Sequence, residues 1–236
     1  MYKGHRVLAI VPARSGSGGL KHKNIRPLHK IPLLGRCGAI LSRLPWVDLA
    51  LLSTDSKKYV EIGKKYGLRS LGLRPGSLSG STAKVMDTVR FELLRAEKDT
   101  GARFDIVLLI EPSSPLRTPQ DIKLCVDRLL RAKAQTALTI SELPIKFHPK
   151  KIFQAQGDRV EFFDKSEATI VNRQEISDKY YWRNGICYAL MRDSIFREAA
   201  FITSDTTFVV TKHQVANIDD ELDFAWADLI FDREKR

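Results

Sequence analysis

Short apolar runs alternate along this chain with longer segments in which apolar residues recur every three or four positions. The apolar runs predict buried strands at residues 5–12, 47–54, 104–112 and 137–143. The segments with helical spacing predict helices at residues 33–44, 56–67, 84–98 and 118–133. Regular alternation of strand and helix favours an α/β fold with a doubly wound, mostly parallel sheet and helices on both faces.

Two of the predicted helices carry end signals. Thr118-Pro119 opens the helix at 118–133, because threonine is a good N-cap and proline suits the first turn. Gly67 closes the helix at 56–67, since glycine readily adopts the left-handed conformation that ends helices.

The pattern changes after residue 143. Residues 150–163 predict a hairpin that turns at Gly157-Asp158. A polar stretch then leads to a strand at 185–191, and residues 217–232 predict an amphipathic helix with acidic residues in its first turn, where the helix dipole favours them. The chain is therefore interpreted as a single domain, 1–236, with a β-rich insertion at 144–184.

Composition and charge narrow the class of protein. The chain has 236 residues and a net charge of +11, which favours anionic substrates or partners. The lysines and arginines are spread along the chain without a basic block, so we do not expect a nucleic-acid partner. The apolar runs are too short to span a membrane, and the sequence shows no signal-peptide pattern. We therefore expect a soluble protein. Three well-separated cysteines form neither a disulfide framework nor a metal cluster, so a cytoplasmic location is expected.

Three polar segments follow predicted strands. They are ARSGSGGLKHKN (13–24), STDS (53–56) and EPSSPLRT (111–118). Ligands of open parallel sheets bind beyond the carboxyl ends of the strands, so the three segments are expected to form one active site. A single glycine-rich loop would be a weak signal, and the convergence of three is more specific.

Six motifs stand in a recognisable order and spacing over nearly the whole chain. They are VPARSGSGGLKHKNI (11–25), LLSTD (51–55), LRP (73–75), LLIEPSSPLRT (108–118), NRQ with RNGICY (172–174 and 183–188), and IDDELDFAWAD (218–228). In these motifs the chain resembles the acylneuraminate cytidylyltransferases, or CMP-sialic acid synthetases, including bacterial relatives that act on legionaminic and similar nonulosonic acids.

This resemblance implies a Rossmann-like nucleotidyltransferase fold and a definite reaction. The anomeric hydroxyl of a 2-keto sugar acid would attack the α-phosphorus of CTP, giving a CMP-sugar and pyrophosphate with the help of Mg²⁺. It also implies a homodimer that forms through the insertion at 144–184. Such a reaction needs cations and backbone N–H groups around the triphosphate, and an arginine suits the sugar carboxylate.

The resemblance also assigns roles to individual residues. Catalytic roles fall to Arg14, Lys23 and Asp219, and Mg²⁺ ligands to Asp219 and Asn217. The nucleotide would be bound by Ala13, Arg14, Ser17, Lys21, Lys23, Asn24 and Arg74, with Arg14 and Lys23 at the phosphates and Arg74 at the base. The sugar would be bound by Glu111, Ser113, Ser114, Arg117, Arg173 and Asn184, with Arg173 receiving its carboxylate.

Ordinary structural roles compete with several of these assignments. Asp219 stands where it could cap the last helix, and Asp55 is expected to cap the helix that follows it. Arg74 could be a surface turn residue, and a structural role suits His148. Arg14 and Lys23 could be solvated loop cations, although their place after the first strand favours a ligand-binding role.

Four positions depart from the family pattern. Gly18 stands where a lysine is usual, and Lys21 could replace that charge if the loop folds back. Asn217 replaces an aspartate, Glu111 replaces a glutamine, and Val85 replaces a small hydroxyl residue expected near cytosine. Three interpretations stay open: an active cytidylyltransferase, a nucleotidyltransferase with an altered base or acceptor, and a weakened homologue that binds nucleotide or sugar.

Overall fold

A six-stranded sheet forms the centre of the computed structural model, which describes residues 1–16, 19–80, 82–164, 176–198 and 200–233. The strands in these ranges are β1 (Val7–Pro12), β2 (Pro27–Leu28), β3 (Ile31–Pro32), β4 (Leu49–Ser53), β5 (Ile106–Leu109), β6 (Thr136–Glu142), β7 (Phe153–Gln156), β8 (Arg159–Phe162), β9 (Tyr181–Met191) and β10 (Thr206–Val210). The central sheet has the order β10-β6-β9-β5-β1-β4, and two small hairpins pair β2 with β3 and β7 with β8.

The central sheet is mostly parallel, as the alternating pattern predicts. Ile10 of β1 lies between Leu51 of β4 and Leu109 of β5 in parallel register. β9 is the exception, since it runs antiparallel to both β5 and β6. β10 lies at the edge beside β6, parallel to it, and the apolar pattern did not predict this strand.

Helices cover both faces of the sheet. They are α1 (Leu33–Leu41), α2 (Lys57–Lys65), α3 (Val85–Thr100), α4 (Pro119–Ala132), α5 (Arg192–Arg197) and α6 (Glu221–Arg233). Val7, Ala9 and Val11 of β1 belong to a core shared with α1 and α4, whereas Leu8 and Ile10 belong to a core shared with α3. A strand buried on both faces has no polar positions, which explains the unbroken apolar run.

The predicted helix ends agree with the structure. Thr118 caps α4 through its side chain, which accepts a hydrogen bond from Asp121 N, while Asp121 Oδ2 accepts one from Thr118 N at 2.7 Å. This reciprocal pair satisfies two N–H groups at the start of the helix. Gly67 follows α2 with a φ of 80°, the left-handed geometry expected there.

The segment after β6 projects an apolar hairpin. β7 and β8 turn at Gly157, whose φ is 60°, so the predicted hairpin is confirmed. Its strands are exposed, and exposed apolar side chains in and beside it include Phe147, Phe153, Val160 and Phe163. No helix among the described residues combines the length and apolar character that a membrane span requires.

Candidate active site

A cavity of about 650 Å³ opens where β1 and β5 end and β9 begins. It is the edge of the sheet at which the three polar segments were expected to meet. Its lining consists of Pro12, Arg14, Gly19, Lys23, Asn24, Arg74, Leu78, Gly80, Ala83, Val85, Thr88, Leu109, Glu111, Pro112, Ser113, Arg183, Gly185, Tyr188, Phe201, Asn217 and Asp219. Residues from the segments after β1 and β5 therefore share one cavity with the segment that precedes α6. Residues 53–56 were expected there as well, but none of them is among the lining residues.

The segment after β1 is held by side-chain contacts from both sides. Asn24 is buried, and its Nδ2 donates to the Arg14 carbonyl oxygen at 3.1 Å. Ser15 donates from its backbone N and its Oγ to the Asp55 carboxylate at 2.8 and 3.0 Å. Asp55 was expected to cap the next helix, which is wrong, because Ser56 is the N-cap of α2. Asp55 instead orders the loop that carries Arg14.

Lys23 joins this loop to the segment before α6. Its Nζ donates to the Ile218 carbonyl oxygen at 2.6 Å and to Asp219 Oδ1 at 2.8 Å. The two segments also touch at Gly19, where a Cβ atom would lie 2.4 Å from the Asp219 carbonyl oxygen. A side chain at position 19 would therefore force the segments apart. Close backbone approach is the reason for glycine here.

Arg74 also lines the cavity. Arg74 is buried, and its Nε donates to Ser79 Oγ at 3.2 Å. Burial lowers the pKa of its guanidinium, and the negative charges of Asp55 and Glu92 oppose this effect. Glu92 is itself buried and accepts a hydrogen bond from Ser53 Oγ at 2.7 Å. Burial raises the pKa of Glu92.

The sequence offered no signal for Glu92, because it lies in the middle of α3 outside every motif. Its partner Ser53 belongs to the STDS segment, so the hydrogen bond ties α3 to the end of β4. Val85, the first residue of α3, lines the cavity and is 38% exposed. An apolar side chain therefore lines the cavity at a position where the resemblance implies a hydroxyl group.

Glu111 and Gly185 form the side of the cavity between β5 and β9. Gly185 has a φ of 70°, and a Cβ there would lie 2.7 Å from Ser114 Oγ and 3.0 Å from Glu111 Oε2. Burial raises the pKa of Glu111, while the nearby charges of Arg117, Arg183 and Lys23 act against it. Arg183, in the RNGICY motif, lines the cavity, although no role was predicted for it from the sequence.

Three predicted sugar-binding residues lie behind the cavity wall. Arg117 donates to the carbonyl oxygens of Ile186 and Glu111, and Ser114 Oγ donates to the Asn184 carbonyl oxygen at 2.9 Å. Asn184 is buried and bonds through its amide to Thr139, Ser141 and Thr211. These side chains fix the backbone of β9 beneath Glu111 and Gly185.

The remaining predicted residues are placed as follows. Ala13 is buried, and its backbone N donates to the Ser53 carbonyl oxygen at 2.9 Å. Lys21 is exposed and is not among the cavity-lining residues. Ser17, Gly18 and Arg173 lie outside the described residues. Their roles in binding stay predictions.

The oxygens near Asp219 suit a hard divalent cation. Asn217 Oδ1 is buried and accepts no hydrogen bond from any residue in the described ranges. Such an unsatisfied oxygen is costly unless an ion or water meets it. Asp219, two residues further along the chain, has a largely exposed carboxylate that supplies negative charge. Amide and carboxylate oxygens are the ligands that Mg²⁺ takes in proteins.

The sequence and the fold are both similar to those of known proteins. The family model described as cytidylyltransferase matches residues 8–223. The CMP-N,N'-diacetyllegionaminic acid synthase of Legionella pneumophila is 29% identical over 94% of each chain. The N-acylneuraminate cytidylyltransferase of Escherichia coli is 27% identical over 98% of this chain and 53% of that protein. The solved structure of CMP:2-keto-3-deoxy-manno-octonic acid synthetase complexed with CTP shares the fold, with a TM-score of 0.68, 13% identity, and coverage of 97% of this chain and 99% of that one.

The raised pKa of Glu111 predicts a pH-dependent stability. A carboxyl group whose pKa rises on folding from an ordinary value of about 4.3 favours the protonated form. Its contribution to the free energy of unfolding is complete below the ordinary pKa and is lost as pH rises through the raised value. Glu111→Gln lacks this carboxyl and has no such loss. We therefore expect its free energy of unfolding, measured in urea, to increase relative to that of wild type as pH rises.

The control is Glu61→Gln, which removes an exposed carboxylate that pairs with Lys64 at the surface of α2. Its difference from wild type should stay nearly constant over the same range of pH, because a surface pair contributes little. A Glu111→Gln difference that is equally flat would contradict a raised pKa for Glu111.

Proposed function

The chain belongs to the cytidylyltransferase family, and we propose that it transfers CMP from CTP to an acidic 2-keto sugar of the nonulosonic acid type, releasing pyrophosphate. One observation carries this proposal. Cationic side chains from separate segments, Arg14, Lys23, Arg74 and Arg183, line a single cavity at the carboxyl ends of parallel strands. A triphosphate and a sugar carboxylate are both anionic, and such a cavity attracts both.

The phosphates would lie against the segment after β1. Arg14 and Lys23 supply positive charge there, and Asn24 holds the loop in place through the Arg14 carbonyl oxygen. Positive groups fixed in advance stabilise the charge that develops on the α-phosphate and on departing pyrophosphate. Because Lys23 already bonds to Asp219, its ammonium group lies between the phosphate end and the candidate cation ligands.

We propose that Mg²⁺ is held by Asp219 and Asn217. The unsatisfied Asn217 Oδ1 and the exposed Asp219 carboxylate support this assignment. When bound, the ion would offset charge on the triphosphate. Asparagine is a neutral ligand, so we expect weaker binding than at a pair of aspartates.

The acidic sugar would lie between β5 and β9. Ser113, Glu111 and Arg183 line this side, and Arg183 is an exposed guanidinium able to pair with a carboxylate in two hydrogen bonds. The role of Arg173 as carboxylate receptor is retained from the family resemblance. Glu111 opposes an anion when ionised, and its raised pKa reduces that repulsion.

A pyrophosphate-release assay tests the reaction. We expect turnover with CTP, Mg²⁺ and at least one of a panel containing legionaminic, pseudaminic, N-acetylneuraminic and 3-deoxy-manno-octulosonic acids.

Thermal shifts with the four nucleoside triphosphates would test the base, since a bound ligand raises the melting temperature. The identity of the base needs its own test in this chain, because the apolar Val85 lines the cavity where the resemblance implies a small hydroxyl residue near cytosine. Largest stabilisation by GTP, UTP or ATP would favour the second candidate, a nucleotidyltransferase of altered base.

Variants of Lys23 and Lys21 compare a cation that lines the cavity with a nearby cation that is exposed to solvent. Lys23→Met should lower kcat by about 100- to 1,000-fold, as loss of one preorganised transition-state donor does. Lys21→Met should change kcat far less, because Lys21 is exposed and outside the lining. Steady-state kinetics of both variants measure this, with melting curves to confirm folding. Equal losses would contradict the placement of the phosphates against Lys23.

We propose that the protein is a homodimer formed through the β7–β8 hairpin. Exposed apolar side chains, among them Phe153, Val160 and Phe163, support this surface, because apolar patches of this kind mark association sites. Sedimentation should show a dimer for wild type and a monomer for Val160→Lys. Leu222→Lys on α6, an even more exposed apolar site elsewhere, should leave the dimer intact. Dimeric Val160→Lys protein would contradict the proposed interface.

We propose a cytoplasmic location. Cys37, Cys125 and Cys187 are free and buried, which suits a reducing compartment.

A further inference from the structure

Three potential metal ligands meet outside the cavity. His29 lies on the turn between β2 and β3, and Asp228 and Asp232 lie on α6. His29 Nε2 is 3.1 Å from Asp228 Oδ1 and 3.2 Å from Asp232 Oδ1. None of the three residues lines the cavity described above. The cluster is therefore separate from the candidate active site.

The two supporting elements fix the direction of each ligand. Asp228 and Asp232 are four residues apart and so share one face of α6, the spacing that helical metal sites use. His29 and Lys30 have φ values of 46° and 67°, as in a type I′ turn, which favours Asn-Gly. The His29 ring packs on Phe231, with ring centroids 4.6 Å apart, and this contact orients it toward the helix.

His29 Nε2 lacks a hydrogen bond in spite of the nearby carboxylates. The atom is buried and has no hydrogen-bond partner within the described part of the chain. The Oδ1 atoms of Asp228 and Asp232 therefore lie to the side of the direction in which His29 Nε2 would form a bond. A metal in that direction, at bonds of roughly 2.0–2.2 Å, places neighbouring ligands of a tetrahedral site roughly 3.3–3.6 Å apart. The separations of 3.1 and 3.2 Å are close to that spacing.

The donor set selects the class of ion. One imidazole and two carboxylates suit a first-row divalent transition metal such as Zn²⁺. The side chains of Asp228 and Asp232 are 52% and 57% exposed, so an ion can enter and keep water in its open positions. Arg36 is attracted to Asp228 and stacks on Phe231 at 4.3 Å. Its positive charge opposes a second cation, so we expect moderate affinity.

We propose that His29, Asp228 and Asp232 form a Zn²⁺ site that fastens the C-terminal half of α6 to the β2–β3 turn. Leu28, Phe224 and Ile230 already pack these elements together in one apolar cluster. The ion adds a cross-link to that contact and stabilises the folded chain, since it binds the folded state preferentially. This inference does not depend on the proposed reaction.

Metal binding by the full-length, untagged chain, freed of metal with a chelator, tests the site. We expect Co²⁺, used as a coloured substitute for Zn²⁺, to give visible absorption, and Zn²⁺ to raise the melting temperature. His29→Asn should weaken Zn²⁺ binding by more than about 100-fold, since loss of an outer-shell partner alone costs 10- to 100-fold. Asparagine tolerates the left-handed turn, so the metal-free variant should melt as wild type does.

Two further variants place the ion. Asp219→Asn, at the cavity, should keep the Co²⁺ absorption, whereas Asp232→Asn should lose it. Glu61→Gln, an exposed helical carboxylate elsewhere, should also keep it. Absence of absorption in wild type would overturn the proposal, as would its persistence in His29→Asn or Asp232→Asn, or its loss in Asp219→Asn. If His29→Asn fails to fold, the comparison between Asp232→Asn and Glu61→Gln decides.

Discussion

The ammonium group of Lys23 links the two segments on which the cavity depends. It bonds to the backbone of Ile218 and to the carboxylate of Asp219, so the loop after β1 and the segment before α6 face each other although they are far apart in sequence. Gly19 permits this approach, because a Cβ would meet the Asp219 carbonyl oxygen. The loop that carries Arg14 and Lys23 is thus joined to the candidate cation ligands, and the segment before α6 forms part of the cavity although it lies outside the sheet.

Local sequence determines much of this fold, because the central strands are buried on both faces. Val7 to Val11 feed two cores alternately, so their apolar run and length identify a strand without reference to its neighbours. The edge strand β10 was not predictable in this way. Its burial alternates weakly, with Thr207 buried and Phe208 exposed, and it forms through pairing with β6. The reversed direction of β9 likewise depends on its partners rather than on its own residues.

The candidate site could be located from sequence more readily than it could be oriented. Segments that follow parallel strands must converge at one edge, and the structure lines the cavity with Arg14, Lys23 and Asp219. Which side chains face the cavity depends on strand register and twist. Arg117 and Asn184 stand in the same motifs but bond to the backbone and side chains behind β9. Their role in holding that wall requires the tertiary structure, whereas family motifs mark only their position.

Glu111 shows how a departure from the family pattern fits its surroundings. A glutamine at this position is neutral and offers both a donor and an acceptor. Burial raises the pKa of the Glu111 carboxyl, and an approaching anion favours the protonated form further. A protonated carboxyl is also neutral and also offers both a donor and an acceptor. In the proposed mode of binding, an acidic sugar beside Glu111 would favour uptake of a proton by this carboxyl, a coupling of sugar binding to pH that glutamine would not show.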